Sequence, residues 1–148
     1  QAATLFQNTL RQIGVEVVVE VSPWSVVSGR MRSAQTQADI IPLWKSTYYV
    51  DPNNWVGELF GTRYHGTRTF SYYSNPEFDK RLDRALVAGS QEERQKLYEE
   101  MTQMVNDAAA GIFVYNTKWY GPYSAKVEGI RFSPVSNGQD IRWASQKR

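Results

Sequence analysis

Two β-prone runs flank a helical stretch between residues 15 and 44, and this arrangement restricts the fold more than any other feature of the chain. The first run, VEVVVEV at 15–21, sets Val15, Val17, Val19 and Val21 on one side and Glu16 and Glu20 on the other. Alternation of β-branched residues at period two is the pattern of a strand with one face buried. The second run, ADIIPLW at 38–44, is short and apolar, as a buried strand is. Between them, SPWSVVSGRMRSAQTQ reads as helical from about Pro23 and turns polar towards its end. Strand, helix and strand in so short a span predict a βαβ unit, with parallel strands and a right-handed crossover.

Helical signals dominate the rest. Phe6, Leu10 and Ile13 fall on one helix face, and Gly14 stands where such a helix ends. Asp51 and Pro52 form an N-cap and first helical position ahead of Trp55, Val56, Leu59 and Phe60. After a Gly, Thr and aromatic loop at 61–74, Asn75-Pro76 opens a helix whose inward face is Phe78, Leu82, Ala85 and Leu86. Ser90 and Glu93 make a capping box for a longer helix with Leu97, Met101, Met104, Val105 and Ala108 inward. GIFVYNT (111–117), VEGIRF (127–132) and QDIRWAS (139–145) read as strands. The fold class is α/β, with a βαβ unit and two helices in antiparallel succession. The opening QAATLFQNTLRQIG has the character of a helix interior, and the expectation is a piece of a longer protein.

Composition removes several classes of function. Cysteine is absent, which excludes disulfides, zinc–thiolate sites and thiol catalysis. Seventeen basic residues interleave with fifteen acidic ones for a net charge of +2, so a nucleic-acid footprint is not expected. No apolar run approaches the roughly 18 residues of a membrane-spanning helix. No nucleotide, serine-hydrolase or zinc-protease motif occurs, nor a cluster of metal ligands. No cofactor and no metal are expected. His65 stands alone in a loop, without the positioned partner that catalysis requires. Acidic and basic residues of the two long helices alternate at i, i+4, as on solvated faces.

What remains is aromatic. Five Trp, nine Tyr and six Phe are many for this length, and WKSTYYVDPNNWVGELF at 44–60 concentrates them beside a turn. Trp44 ends an expected parallel strand, and ligands of open α/β sheets sit beyond the carboxyl ends of strands. Trp and Tyr offer broad contact at low entropic cost with a polar handle. Trp44 and Trp55 plugging a domain edge is the alternative that the residues leave open.

The ordered set of Trp44, Asp51-Pro52, YYSNPEFD (72–79), RQKLYEEMTQMVND (94–107) and AGIFVYN (110–116) resembles the extracytoplasmic solute-binding proteins of peptide/nickel ABC importers. The resemblance implies a periplasmic-binding-protein-like fold of the type II, hinged two-lobe kind, and a periplasmic location. It makes residues 1–124 the second, C-terminal lobe and 125–148 a segment returning to the first. It implies no catalysis, a peptide or related small solute held between lobes, and a membrane permease as partner beside the protein's own N-terminal lobe. Trp44, Thr47, Tyr48, Tyr49, Asp51 and Trp55 are the expected solute-binding residues. Thr47 falls where peptide binders of the family carry an Asp for the ligand ammonium, and Leu43 replaces the usual Gly. Asp51 is expected first as an N-cap and second as a partner for a cationic group. An isolated lobe is expected to self-associate. Two rivals stand beside this reading: a carbohydrate-active hydrolytic domain using Asp39, Asp51 or Glu58, and a stand-alone interaction module presenting the aromatic loop.

Overall fold

The computed structural model describes residues 2–147 apart from 117, 119, 134 and 136–138. The chain divides into two compact units, Gln1–Trp44 and Lys45–Arg148.

In the first unit, α1 (Ala2–Arg11) leaves Phe6 and Leu10 half-buried on one face, while Leu5 and Ile13 are exposed. Gly14 closes the helix at φ 80°, a left-handed conformation that suits glycine. The Val15 N–H returns to the Leu10 carbonyl, and the Gln7 amide donates to the Val17 carbonyl at 2.7 Å. A short α2 (Trp24–Arg30) follows Pro23, which stands at the N-cap with ψ 146°, outside the helical range. Met31, just past α2, is fully buried.

The second unit is built on two helices, α4 (Pro76–Leu86) and α5 (Gln91–Asp107), preceded by the single turn α3 (Gly57–Phe60). The Asn75 side chain accepts from the N–H groups of Glu77 and Phe78, and Ser90 accepts from Glu93 N–H, so both expected caps form. Arg81 pairs with Glu100 and Arg84 with Glu93, numbers rising on one helix as they fall on the other, which fixes the pair as antiparallel. Phe78, Leu82 and Ala85 meet Leu97, Tyr98, Met101 and Val105 in a core that Phe60 completes. Each large apolar side chain fully buried there contributes about 1.5–3 kcal/mol. The expected faces hold at these positions. Leu86 and Ala108, at the C-terminal end of α4 and just past that of α5, are exposed. The expected helix from Asp51 is a 3-10 turn (Pro52–Asn54) followed by α3. At Gly57 a Cβ would collide with Asn53 Oδ1 and Leu82, so the backbone approaches there as only glycine allows.

The α/β class stands, yet its strands are not where the βαβ unit was expected. Residues 15–21 and 38–44 form no ladder with any described residue, and neither do 111–116; residue 117 lies outside the described residues. Val18, Val21, Ile40, Ile112 and Val114 are more than half exposed. A strand has no internal hydrogen bonds, so an apolar run becomes one only beside a partner. The strands present are β1 (Val127–Glu128), β2 (Arg131–Phe132), β3 (Gln139–Asp140) and β4 (Ser145–Gln146). They pair antiparallel, β1 with β4 and β2 with β3, as one nested hairpin. The two pairs are separated at Gly129, whose φ of 80° and closeness to the Trp143 carbonyl leave no room for a side chain.

Candidate functional site

The segment 45–58 is anchored at both ends and in the middle. Asp51 caps the 3-10 turn by accepting from Asn53 N–H at 2.8 Å. The same carboxylate oxygen accepts from Arg94 Nη2 of α5, also at 2.8 Å. Arg94 further donates to the Ala85 carbonyl at the end of α4 and lies 5.0 Å from the centre of the Tyr98 ring. One guanidinium thus fastens the turn to both helices. The bond from Arg94 holds the Asp51 carboxyl below its ordinary range, against the opposing effect of burial. Burial pushes the Tyr98 phenol up to about 12.

A second network lies under the tyrosines. Glu58 is nearly buried, and its Oε1 accepts from the Tyr49 hydroxyl at 3.0 Å. Asn53 Nδ2 donates to that same hydroxyl at 2.9 Å, so the Tyr49 ring is held at its polar end while it remains partly exposed. Burial is the main cause that raises the Tyr49 phenol above its ordinary value. Lys45 Nζ stands 3.6 Å from Glu58 Oε2, both side chains mostly buried. Asn54, fully buried, donates to the Ser46 carbonyl and ties the start of the segment to its turn.

The expected binding residues are therefore distributed as follows. Tyr48, Tyr49 and Trp55 are 61%, 37% and 39% exposed on the second unit, with the Tyr48 ring flanked by cations. Thr47 is half-buried beside them in sequence. Asp51 has the capping role, with Arg94 as its ion partner. Trp44 closes the first unit and is 69% exposed. His65 Nε2 donates to the Tyr73 carbonyl at 2.8 Å and its ring leans on Tyr72, a structural employment. Among the described residues no group of three His, Cys, Asp or Glu is placed to hold a metal ion. No helix of the described residues is long and apolar enough to cross a membrane. Lys45, Asn53, Arg68 and Arg94 were not legible as parts of this site, and Glu58 was expected only as a carboxylate of the hydrolytic alternative. Arg94 in particular looks like one member of a solvated helix face, and nothing local announces a contact with Asp51 forty-three positions earlier.

No protein-family model matches the chain. Among curated proteins it is 29% identical over 132 residues to heme-binding protein A of Haemophilus influenzae, covering 89% of this chain and 24% of that protein. It is 27% identical over 131 residues to the probable D,D-dipeptide-binding periplasmic protein DdpA of Escherichia coli, covering 87% of this chain and 25% of that one. A solved dipeptide-binding protein from Pseudoalteromonas sp. SM9913, in complex with Met-Leu, superposes with a TM-score of 0.74 at 24% identity, over 99% of this chain and 28% of that one. The fold is thus part of the two-lobe periplasmic binding-protein architecture. The curated relatives it matches are named for binding heme, di- and tripeptides and D,D-dipeptides, and the chain spans about a quarter of their length. These relatives carry the names of binding proteins, not of enzymes.

Proposed function

We propose that the chain is the second, C-terminal lobe of the solute-binding component of an ABC importer, working in the periplasm. Residues 1–124 form that lobe, and 125–148 return towards the first. Tyr48, Tyr49 and Trp55 make a ring-lined wall against which a small peptide-like solute packs, with Thr47 beside them. Trp44, directly before this segment, is a candidate contact in its own right. The observation that carries this reading is the combination of exposed rings with a fixed base. Tyr49 is held by Asn53 and Glu58, and the turn below is held through Asp51 by Arg94. Rings fixed before the solute arrives lose little entropy on binding.

The other lobe closes over the solute, which stabilises the closed arrangement by its extra contacts there and leaves chemically unchanged. The loaded form is then handed to a membrane permease. Relatives and structural neighbours are named for heme, D,D-dipeptide and Met-Leu, so the recognised chemistry varies among similar proteins. Against a hydrolytic role, Asp51 and Glu58 are each committed to a cation, Arg94 and Lys45, instead of facing one another across a free gap. The exposed apolar runs of the lobe favour self-association when it stands alone.

A tryptophan-fluorescence titration of the full-length protein containing this chain tests the proposal, with the ligand recovered by mass spectrometry. Saturable binding of a dipeptide returned intact, weakened by Trp55→Ala or Tyr48→Ala, is the expected result. A cleaved ligand, or no binding of any peptide, overturns it. A monomeric elution profile of the isolated lobe at high concentration overturns the self-association.

A further inference from the structure

The Tyr48 ring is flanked by two cations. Lys45 Nζ lies 4.9 Å from its centre and the Arg68 guanidinium carbon 5.3 Å. The two charges have different surroundings. Lys45 is mostly buried and faces Glu58. Arg68 is exposed and forms no ion pair among the described residues.

Arg68 is placed by a tight turn. Its N–H and that of Thr69 both donate to the Tyr64 carbonyl, and Gly66 N–H returns to the Thr69 carbonyl. Thr69, fully buried, donates its hydroxyl to the Glu58 carbonyl at 2.8 Å. The loop that carries Arg68 is thereby bolted to α3, the same turn that supplies the buried Glu58. Burial pushes the Lys45 ammonium below its ordinary value; Glu58 opposes that shift, and the charge of Arg68 adds to it. Two cations that repel one another beside one carboxylate leave a local surplus of positive charge at an exposed ring. Thr47, close by in sequence, supplies no carboxylate to offset it.

We propose that Lys45, Tyr48 and Arg68 receive a carboxylate of the bound solute, with Arg68 as the principal donor and Tyr48 as the apolar face beside it. This rests on the reading of Tyr48 as part of the solute-binding wall. The guanidinium fork matches a carboxylate through two parallel hydrogen bonds, and a second cation within reach strengthens the pull. An ammonium group at the same point would be repelled by both cations. The site thus selects solutes by an anionic end.

The experiment compares a dipeptide such as Met-Leu with its C-terminal amide and with its N-acetyl form, on the full-length protein and its Arg68→Ala and Arg68→Lys variants. The expected result is about a tenfold or greater loss for the free acid in Arg68→Ala, partial recovery in Arg68→Lys, and no change for the amide. Acetylation of the amino end is expected to leave the Arg68 dependence intact. Equal losses for acid and amide, or no loss for either, overturn the carboxylate assignment while the importer reading stands. If no peptide binds in any form, the importer reading falls, and the carboxylate assignment is decided by labelling Arg68 with phenylglyoxal. Protection by acetate but not by chloride at equal ionic strength supports the assignment; equal labelling in both overturns it.

Discussion

The helical core of residues 56–105 and the three apolar runs at 15–21, 38–44 and 111–116 each carry a clear apolar pattern in sequence and are opposite in outcome. In the core, Phe78, Leu82, Met101 and Val105 are sealed from solvent. In the runs, Val18, Val21 and Val114 are 86%, 93% and 72% exposed. The difference lies in where each element finds its hydrogen bonds. A helix satisfies its backbone within itself and needs only one apolar neighbour, which for α4 is the adjacent α5. A strand must borrow its ladder of bonds from another segment, and among the described residues none pairs with these runs as a strand. Closely spaced elements therefore fold by local rules, whereas strand-forming runs wait on a partner that can lie far away in a chain.

Four substitutions would break or sharpen this contrast. The largest effect is expected from Phe78→Ala, which empties a fully buried ring site bordered edge-on by Tyr73 and should cost about 3–5 kcal/mol in denaturant unfolding. A loss below about 1 kcal/mol would show that the core is loosely packed. Next comes Asp51→Asn, which weakens the bond to Arg94 and should cost about 1–2 kcal/mol at neutral pH. Because the folded-state pKa of Asp51 is depressed, its contribution is complete above the ordinary Asp value of about 3.9. It disappears as pH falls through the lower folded value. The variant should lose that part of the acid sensitivity, and an unchanged profile in stability measured against pH would sink the assignment.

The third effect is a gain. Ala109 follows α5 at φ 49°, a left-handed conformation that costs a residue with a Cβ. Ala109→Gly should raise stability by about 0.5–1 kcal/mol, read as a higher unfolding midpoint; a decrease would show that the alanine methyl is needed. The smallest effect is expected at Val21→Ser, below about 0.5 kcal/mol in this chain, since that side chain is exposed already. A large loss there would mean that the run has a partner after all.

Much of the second unit was legible because its signals are local. Asn75-Pro76 and the Ser90 box mark helix starts by the bonds their side chains make two or three residues on, and the faces of α4 and α5 follow from the 3.6-residue period. Asp51 was equally legible as a cap. The βαβ unit was not borne out locally, for VEVVVEV and ADIIPLW state a preference that only a ladder can realise. The aromatic segment was visible as a concentration of rings, but its supports were not. Nothing near Arg94 points to Asp51, and nothing near Thr69 points to the Glu58 carbonyl.

By itself, then, the sequence determined the helices, their caps, their buried faces and the stretch in which rings and turn residues meet. Each of these depends on contacts within a few residues. Only the tertiary structure decided that Arg94 would lock the turn to both helices, that Glu58 would be buried between Lys45 and Tyr49, and that Arg68 would share the Tyr48 ring with Lys45. Those are meetings of charges and rings brought together by packing, and a charged side chain looks the same in sequence whether it ends in solvent or against a partner.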